Sequence, residues 1–173
     1  MKKIINRLSI LTIILAFSTG ISAQTNFNVP PNYEFNVKED YARYETDIIT
    51  ASKWLEEIDL DKEEAKRKEV SSFVMKWILG SPTVSVGLSE KIMKLYEKND
   101  KILINYMAAY SAYWLQNKTT ATKSAGVKAG LVSMMNVYKK GIKIKKNKEM
   151  DKLIKLTEEA KLDEYVSENL QAF

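Results

Sequence analysis

From Ile102 to Leu115 the plainly polar side chains are Asn105 and Ser111 alone, so a helix over this stretch is apolar almost all the way round. A helix of that kind has no face to offer water and belongs at the centre of a fold. The rest of the chain must therefore supply elements that cover it. Helical periodicity is where the cover comes from. Tyr41, Tyr44, Ile48, Ala51, Leu55 and Ile58 recur at spacings of three and four, which predicts one long helix over 39–58. Val70, Phe73, Val74 and Trp77 predict the buried face of a second helix over 62–79, started by a capping box of Asp61 and Glu64 and stopped by Gly80 in a left-handed C-terminal cap. A short turn between two long periodic segments implies an antiparallel hairpin.

Further helices are predicted over 89–97, with Ser89 as its cap, over 101–116 and over 120–140, and two shorter ones follow residue 148 with a break near Ala160-Lys161. Ala125, Gly126, Ala129 and Gly130 place small residues four apart on the 120–140 helix. Glycine inside a helix costs about 1 kcal/mol against alanine, so the pair implies a closely packed neighbour, with Ala108, Ala109 and Ala112 as the matching small surface. Residues 24–38 contain Pro30-Pro31 and cannot be helical throughout; Phe27, Tyr33 and Phe35 should pin this extended arm to the body. The expected fold is all-α: a single-domain antiparallel helical bundle or short helical-hairpin array of about seven helices over 39–173, after an extended N-terminal arm.

The beginning of the chain has another purpose. Lys2, Lys3 and Arg7 precede an apolar run from Leu8 to Phe17, and Ile21-Ser22-Ala23 ends on a small residue. This is the grammar of a cleavable signal peptide over 1–23, with the mature chain starting at Gln24. The run is too short to span a bilayer, which needs about 20 apolar residues, so no transmembrane span is expected in the mature chain. Export to a periplasmic or extracellular location follows. Without any cysteine the protein must then rely on its core, since no disulfide can form. Removing the three signal cations from 27 basic residues leaves 24 against 22 acidic ones, too small a surplus for a nucleic-acid partner. The charges are unevenly spread: residues 24–70 carry 7 basic and 12 acidic groups, and 71–173 carry 17 and 10. Such polarity can steer docking.

Absence narrows the chemistry. The chain has no histidine and no cysteine, which removes Ser-His-Asp and Cys-His catalysis and imidazole or thiolate metal sites. No Ser-x-x-Lys, Walker A loop or Gly-x-Ser-x-Gly elbow occurs, and no cofactor is expected. Carboxylates cluster at Glu56, Glu57, Asp59, Asp61, Glu63 and Glu64, yet a calcium loop counted from Asp59 would have Glu64 where glycine is required and Val70 where a bidentate glutamate is required. Helix capping accounts for Asp61 and Glu64 more simply. Tyr106, Tyr110, Tyr113 and Trp114 share one side of the central helix, as core or as the lining of a ligand pocket. Six lysines between Lys139 and Lys148 form either a solvated loop or a contact for an anionic surface.

The longest irregular connection within the helical body runs from Ser81 to Ser89 and mixes hydroxyl and apolar side chains. Loops held by rigid helices often carry recognition, so Ser81, Thr83 and Ser85, with nearby Trp77, are the candidate binding residues. The alternative is that Val84, Val86 and Leu88 plug the end of the bundle. The run Lys76-Trp77-Ile78-Leu79-Gly80-Ser81-Pro82-Thr83-Val84-Ser85-Val86, with Trp54-Leu55-Glu56 before it and Asp151-Lys152-Leu153-Ile154-Lys155 after it, resembles a group of small exported bacterial helical proteins of unknown function. That resemblance implies export and a helical body and carries no activity. The expected function is a non-catalytic binding or scaffold module of the cell envelope, with an envelope protein or a polysaccharide as partner. The alternative is a carboxylate-dependent hydrolase acting on cell-wall or polysaccharide material, which needs two acids facing each other about 5–9 Å apart across a cleft.

Overall fold

The computed structural model describes residues 25–170, so the signal peptide expected over 1–23 lies outside the described residues. Among the described residues the fold is all-helical, with eight α-helices and no strand. They are α1 (Lys38–Arg43), α2 (Glu45–Glu57), α3 (Glu64–Gly80), α4 (Glu90–Tyr96), α5 (Leu103–Asn117), α6 (Lys123–Lys139), α7 (Lys148–Glu158) and α8 (Leu162–Asn169). One continuous apolar cluster runs through all of them except α1, whose Tyr41 packs against it from the side. The arm before α1 is extended as expected. Phe27 is buried against Phe73, and Tyr33 and Phe35 pack on the same ring at centroid distances of 4.9 and 5.8 Å.

The helix predicted over 39–58 breaks at Tyr44, which leaves helical geometry with ψ near 8°. The break has a visible use. It lets Tyr41 stack on Phe35 while Tyr44 meets both Phe35 and Phe73 edge-on. Beyond it the predicted stripe holds, with Ile48, Ala51, Leu55 and Ile58 all buried.

The hairpin of α1–α2 with α3 is antiparallel: Tyr41 lies beside Gly80 and Trp77, while Trp54, further along, lies beside Arg67. Two details differ from expectation. No capping box forms at α3, because the turn Asp59–Lys62 that buries Leu60 delays the helix, and its N-cap is Glu63 in a left-handed conformation with φ 44°. Gly80 is not a left-handed cap either. It is the last helical residue, and its missing side chain makes room for the Tyr41 phenol, which a Cβ there would strike.

Helix α5 is the buried centre, with nine of its fifteen residues inside, and α6 is packed almost as deeply. The two run antiparallel, since Gly126 faces Tyr110 and Trp114 whereas Gly130 faces Tyr106. A Cβ on Gly130 would sit 2.5 Å from the Tyr106 ring and 2.8 Å from its carbonyl oxygen. The close approach is therefore real, but tyrosine and tryptophan rings occupy it rather than Ala108, Ala109 and Ala112. Ser89 caps α4 and Thr122 caps α6, each through its hydroxyl. Gly141, at φ 70°, follows the end of α6 in the left-handed conformation that favours glycine.

Candidate functional site

The four residues singled out from sequence do not form one cluster. Trp77 is wholly buried, and its indole N–H donates to the Tyr41 carbonyl at 2.9 Å, so it belongs to the core and has no surface to offer a partner. Ser81 turns its hydroxyl inward, where it accepts the backbone N–H groups of Thr83 and Val84 at 3.3 and 3.2 Å. That local turn drives Val84 into the core, and the Tyr106 hydroxyl holds the loop from below through the Gly87 carbonyl at 3.0 Å. The loop thus plugs the bundle at Val84. Thr83 and Ser85 remain exposed, and Thr83 lines a shallow hollow of about 290 Å³ with Glu45, Trp114, Leu115 and Lys118. The hydroxyls of Ser81 and Thr83 are 3.3 Å apart, whereas Trp77 stands apart from both in function.

A larger concavity lies elsewhere, between the outer side of α3 and the start of α5. It encloses about 420 Å³, and its wall is mostly apolar, made by Leu60, Met75, Leu103 and Ile104. Glu64, Lys68, Asp100 and Lys101 stand at its exposed rim. Helix α3 turns Ser71 and Met75 outward here, side chains that leave space between the helices. A second hollow over Ser72, Met75 and Lys76 continues it along α3.

Arg67 lies in the wall of this groove and is only 7% exposed. Its Nη2 donates to the carbonyls of Leu55, at 2.8 Å, and of Ile58, and Trp54 packs over the guanidinium at 6.0 Å. Its Nε and Nη1 have no hydrogen-bond partner among the described residues. Burial lowers the Arg67 pKa, and the carboxylate of Asp59 opposes that shift. Asn105, also buried, donates to the same Leu55 carbonyl at 3.0 Å. From the opposite side Lys140 donates to the carbonyls of Glu56 and Glu57 at 2.7 and 2.6 Å and pairs with Asp59 at 3.4 Å. The carbonyls left open at the end of α2 are thus closed by side chains from two other helices, α3 and α5, and from the residue just after α6.

This arrangement absorbs half of the acidic cluster. Glu56 accepts from Asn136, Glu57 accepts from Thr25, and Asp59 faces Lys140. Among the described residues no group of three or more acids is placed to hold a metal ion. The aromatic row is absorbed as well. Tyr106 and Tyr110 are buried over the glycines of α6, Trp114 is half-buried between Gly126 and the hollow at Thr83, and Tyr113 is half-buried beside it. Sequence reasoning passed over Arg67 because it sits in Lys66-Arg67-Lys68, a run that reads as a wet face. The signal that finds it is register: 67, 70, 74 and 77 continue the buried stripe of α3 at spacings of three and four. No described helix is long and apolar enough to cross a membrane. In comparisons with known proteins the chain matches no family model, no curated protein and no solved structure.

Proposed function

We propose that this chain is exported by its N-terminal signal and acts as a non-catalytic binding module of the cell envelope, taking its partner in the groove between α3 and α5. The observation that carries this is the groove itself: an open, mainly apolar hollow of about 420 Å³ with its exposed charges at the rim and the buried Arg67 in its wall. Small-ligand and side-chain pockets have this make-up, at roughly 300–1,000 Å³. A polysaccharide partner fits this groove less well than an envelope protein, because among the described residues no aromatic ring lines it for a sugar to stack on.

The test is a photo-crosslinking residue at Ser71, expressed with the signal intact, in the native envelope. One discrete crosslinked species is expected, lost when Met75 becomes Glu and retained when Thr83 becomes Ala. Failure to crosslink anything at Ser71, or a product indifferent to Met75→Glu, rejects the groove. Recovery of a product still carrying residues 1–23 rejects export by cleavage after Ala23.

One feature favours the hydrolase reading: Glu64 and Asp100 stand at the rim of the same groove. Under it, Glu64→Gln and Asp100→Asn each abolish release of soluble sugar from cell-wall material. Under the binding reading no such release occurs with any form of the protein.

A further inference from the structure

The lysine-rich connection between α6 and α7 has two populations of lysine. Lys140 lies back along the surface to close the end of α2. Lys139, Lys143, Lys145, Lys146 and Lys148 are exposed and make no ion pair among the described residues, and no acid lies between 139 and 148. A solvated connection has no need of a fixed shape, yet this one is held at three points. Asn99, buried at the end of α4, exchanges two hydrogen bonds with the backbone of Lys145, both at 2.8 Å. Asn147, also buried, donates to the Lys94 and Leu95 carbonyls of α4 and caps α7 with its side-chain oxygen. The Tyr138 hydroxyl accepts the Asn147 N–H at 2.9 Å and donates to Asp151 at 2.8 Å. Ile144, half-buried, packs against the core between the lysines. The backbone is fixed, and the cations that it carries point to water.

We propose that this clamped loop, through Lys139, Lys143, Lys145, Lys146 and Lys148, is a docking surface for the anionic headgroups of a phospholipid membrane. The charge fits a diffuse negative plane better than a single anion. Lysines are flexible point charges, the loop has no arginine fork, and none of the hollows described above is lined by these residues. A linear polyanion is best followed by an extended basic track, whereas these cations are gathered in one connection at one end of α4. The acids nearest in sequence are Glu97 and Asp100 before the clamp and Glu149 and Asp151 after it. Asp151 is already engaged by Tyr138. The proposal is independent of the groove between α3 and α5.

The experiment is co-sedimentation of residues 24–173 with vesicles of phosphatidylcholine alone or with about one-third phosphatidylglycerol, at low and high salt. Binding is expected only to the anionic vesicles and only at low salt. Each lysine near such a surface is worth about fivefold in affinity, so Lys143→Gln, Lys145→Gln and Lys146→Gln together should weaken binding about a hundredfold, and the corresponding triple arginine variant should bind normally. A control triple at the exposed lysines Lys38, Lys53 and Lys62, with the same net charge, should lose far less. Equal loss in the control, equal binding to neutral vesicles, or no binding to anionic vesicles overturns the proposal. So does tighter binding to soluble dextran sulfate than to the vesicles, which would assign the loop to a polyanionic polymer. Unchanged melting temperatures of both triple variants exclude unfolding as the cause.

Discussion

The seam between α5 and α6 and the closed end of α2 both hold helices together, by opposite means. At the seam, rings of Tyr106, Tyr110 and Trp114 lie on bare backbone at Gly126 and Gly130, and shape does the work. At the end of α2, four successive carbonyls from Leu55 to Ile58 meet a guanidinium, an ammonium and an amide brought from elsewhere in the chain. Packing of the first kind tolerates no added volume, and closure of the second kind tolerates no lost donor. The two should therefore fail under different substitutions. Arg67→Ala tests the second most severely, since it removes two charge-assisted bonds and empties the space under Trp54. We expect a loss of about 4 kcal/mol of stability in urea unfolding. Arg67→Met refills that space without the bonds and should lose about 2 kcal/mol. A loss below about 1 kcal/mol for Arg67→Ala would mean that the end of α2 is held by its apolar contacts alone.

Gly130→Ala tests the seam. Alanine favours the helix by about 1 kcal/mol, but its methyl group would meet the Tyr106 carbonyl, which is backbone and cannot swing away. Overpacking should win, for a net loss of about 2 kcal/mol. At Gly126 the obstruction is made by ring edges of Trp114 and Tyr110, which can shift, so Gly126→Ala should lose less. A stabilised Gly130→Ala protein would show that α6 has room to move off α5.

What the sequence reveals follows the same division. The seam is legible because each half is written locally: glycines four apart on one helix, large rings at spacings of three and four on the other. Even so, alanines looked like the natural partners of glycines, and only the geometry shows that rings fill the space. The stripes of α2 and α3 and the hydroxyl cap at Ser89 are local in the same sense. The closure of α2 is not, because Leu55 and Arg67 are 12 residues apart and Glu56 and Lys140 are 84 apart. A basic residue in a basic run gives no hint that it turns inward. The groove was hidden for a related reason. It is a gap left where α3 and α5 fail to mesh, and residues such as Ser71 and Met75 carry no mark of it. Of the loop residues, Thr83 does border a hollow, but Trp77 is its neighbour in sequence alone, because its indole faces the core.

Tyr106 joins the seam to the Ser81–Ser89 loop and gives the seam a pH limit. Burial, with the neighbouring Tyr110 adding to it, raises its phenol pKa well above the usual 10. The folded state therefore keeps a proton that the unfolded chain releases. The stabilisation is complete below pH 10 and is lost progressively as pH rises above that value toward the folded pKa. Tyr106→Phe should lose about 1 kcal/mol at neutral pH, through the hydrogen bond to Gly87, and should unfold less steeply above pH 10. An alkaline unfolding profile identical to that of the parent would remove Tyr106 from this account.

The smallest effect separates the two kinds of contact most cleanly. Lys140 serves the same helix end as Arg67, but its side chain is 29% exposed and that of its partner Asp59 is 35% exposed. Water and salt reach this pair, so its Coulomb attraction is largely screened. Its bonds to the Glu56 and Glu57 carbonyls place a cation at a helix C-terminus, where such a charge contributes about 0.3–1 kcal/mol. Lys140→Met should accordingly lose about 0.5 kcal/mol at low salt and less at high salt, whereas the losses from Arg67→Ala and Gly130→Ala should not change with salt. Hydrogen exchange should quicken first at the amides of the last turn of α2, with those of α5 and α6 unaffected. A salt-independent loss of about 2 kcal/mol at Lys140 would instead make it a buried donor like Arg67. The distinction between a dry closure on one side of α2 and a wet one on the other would then fall.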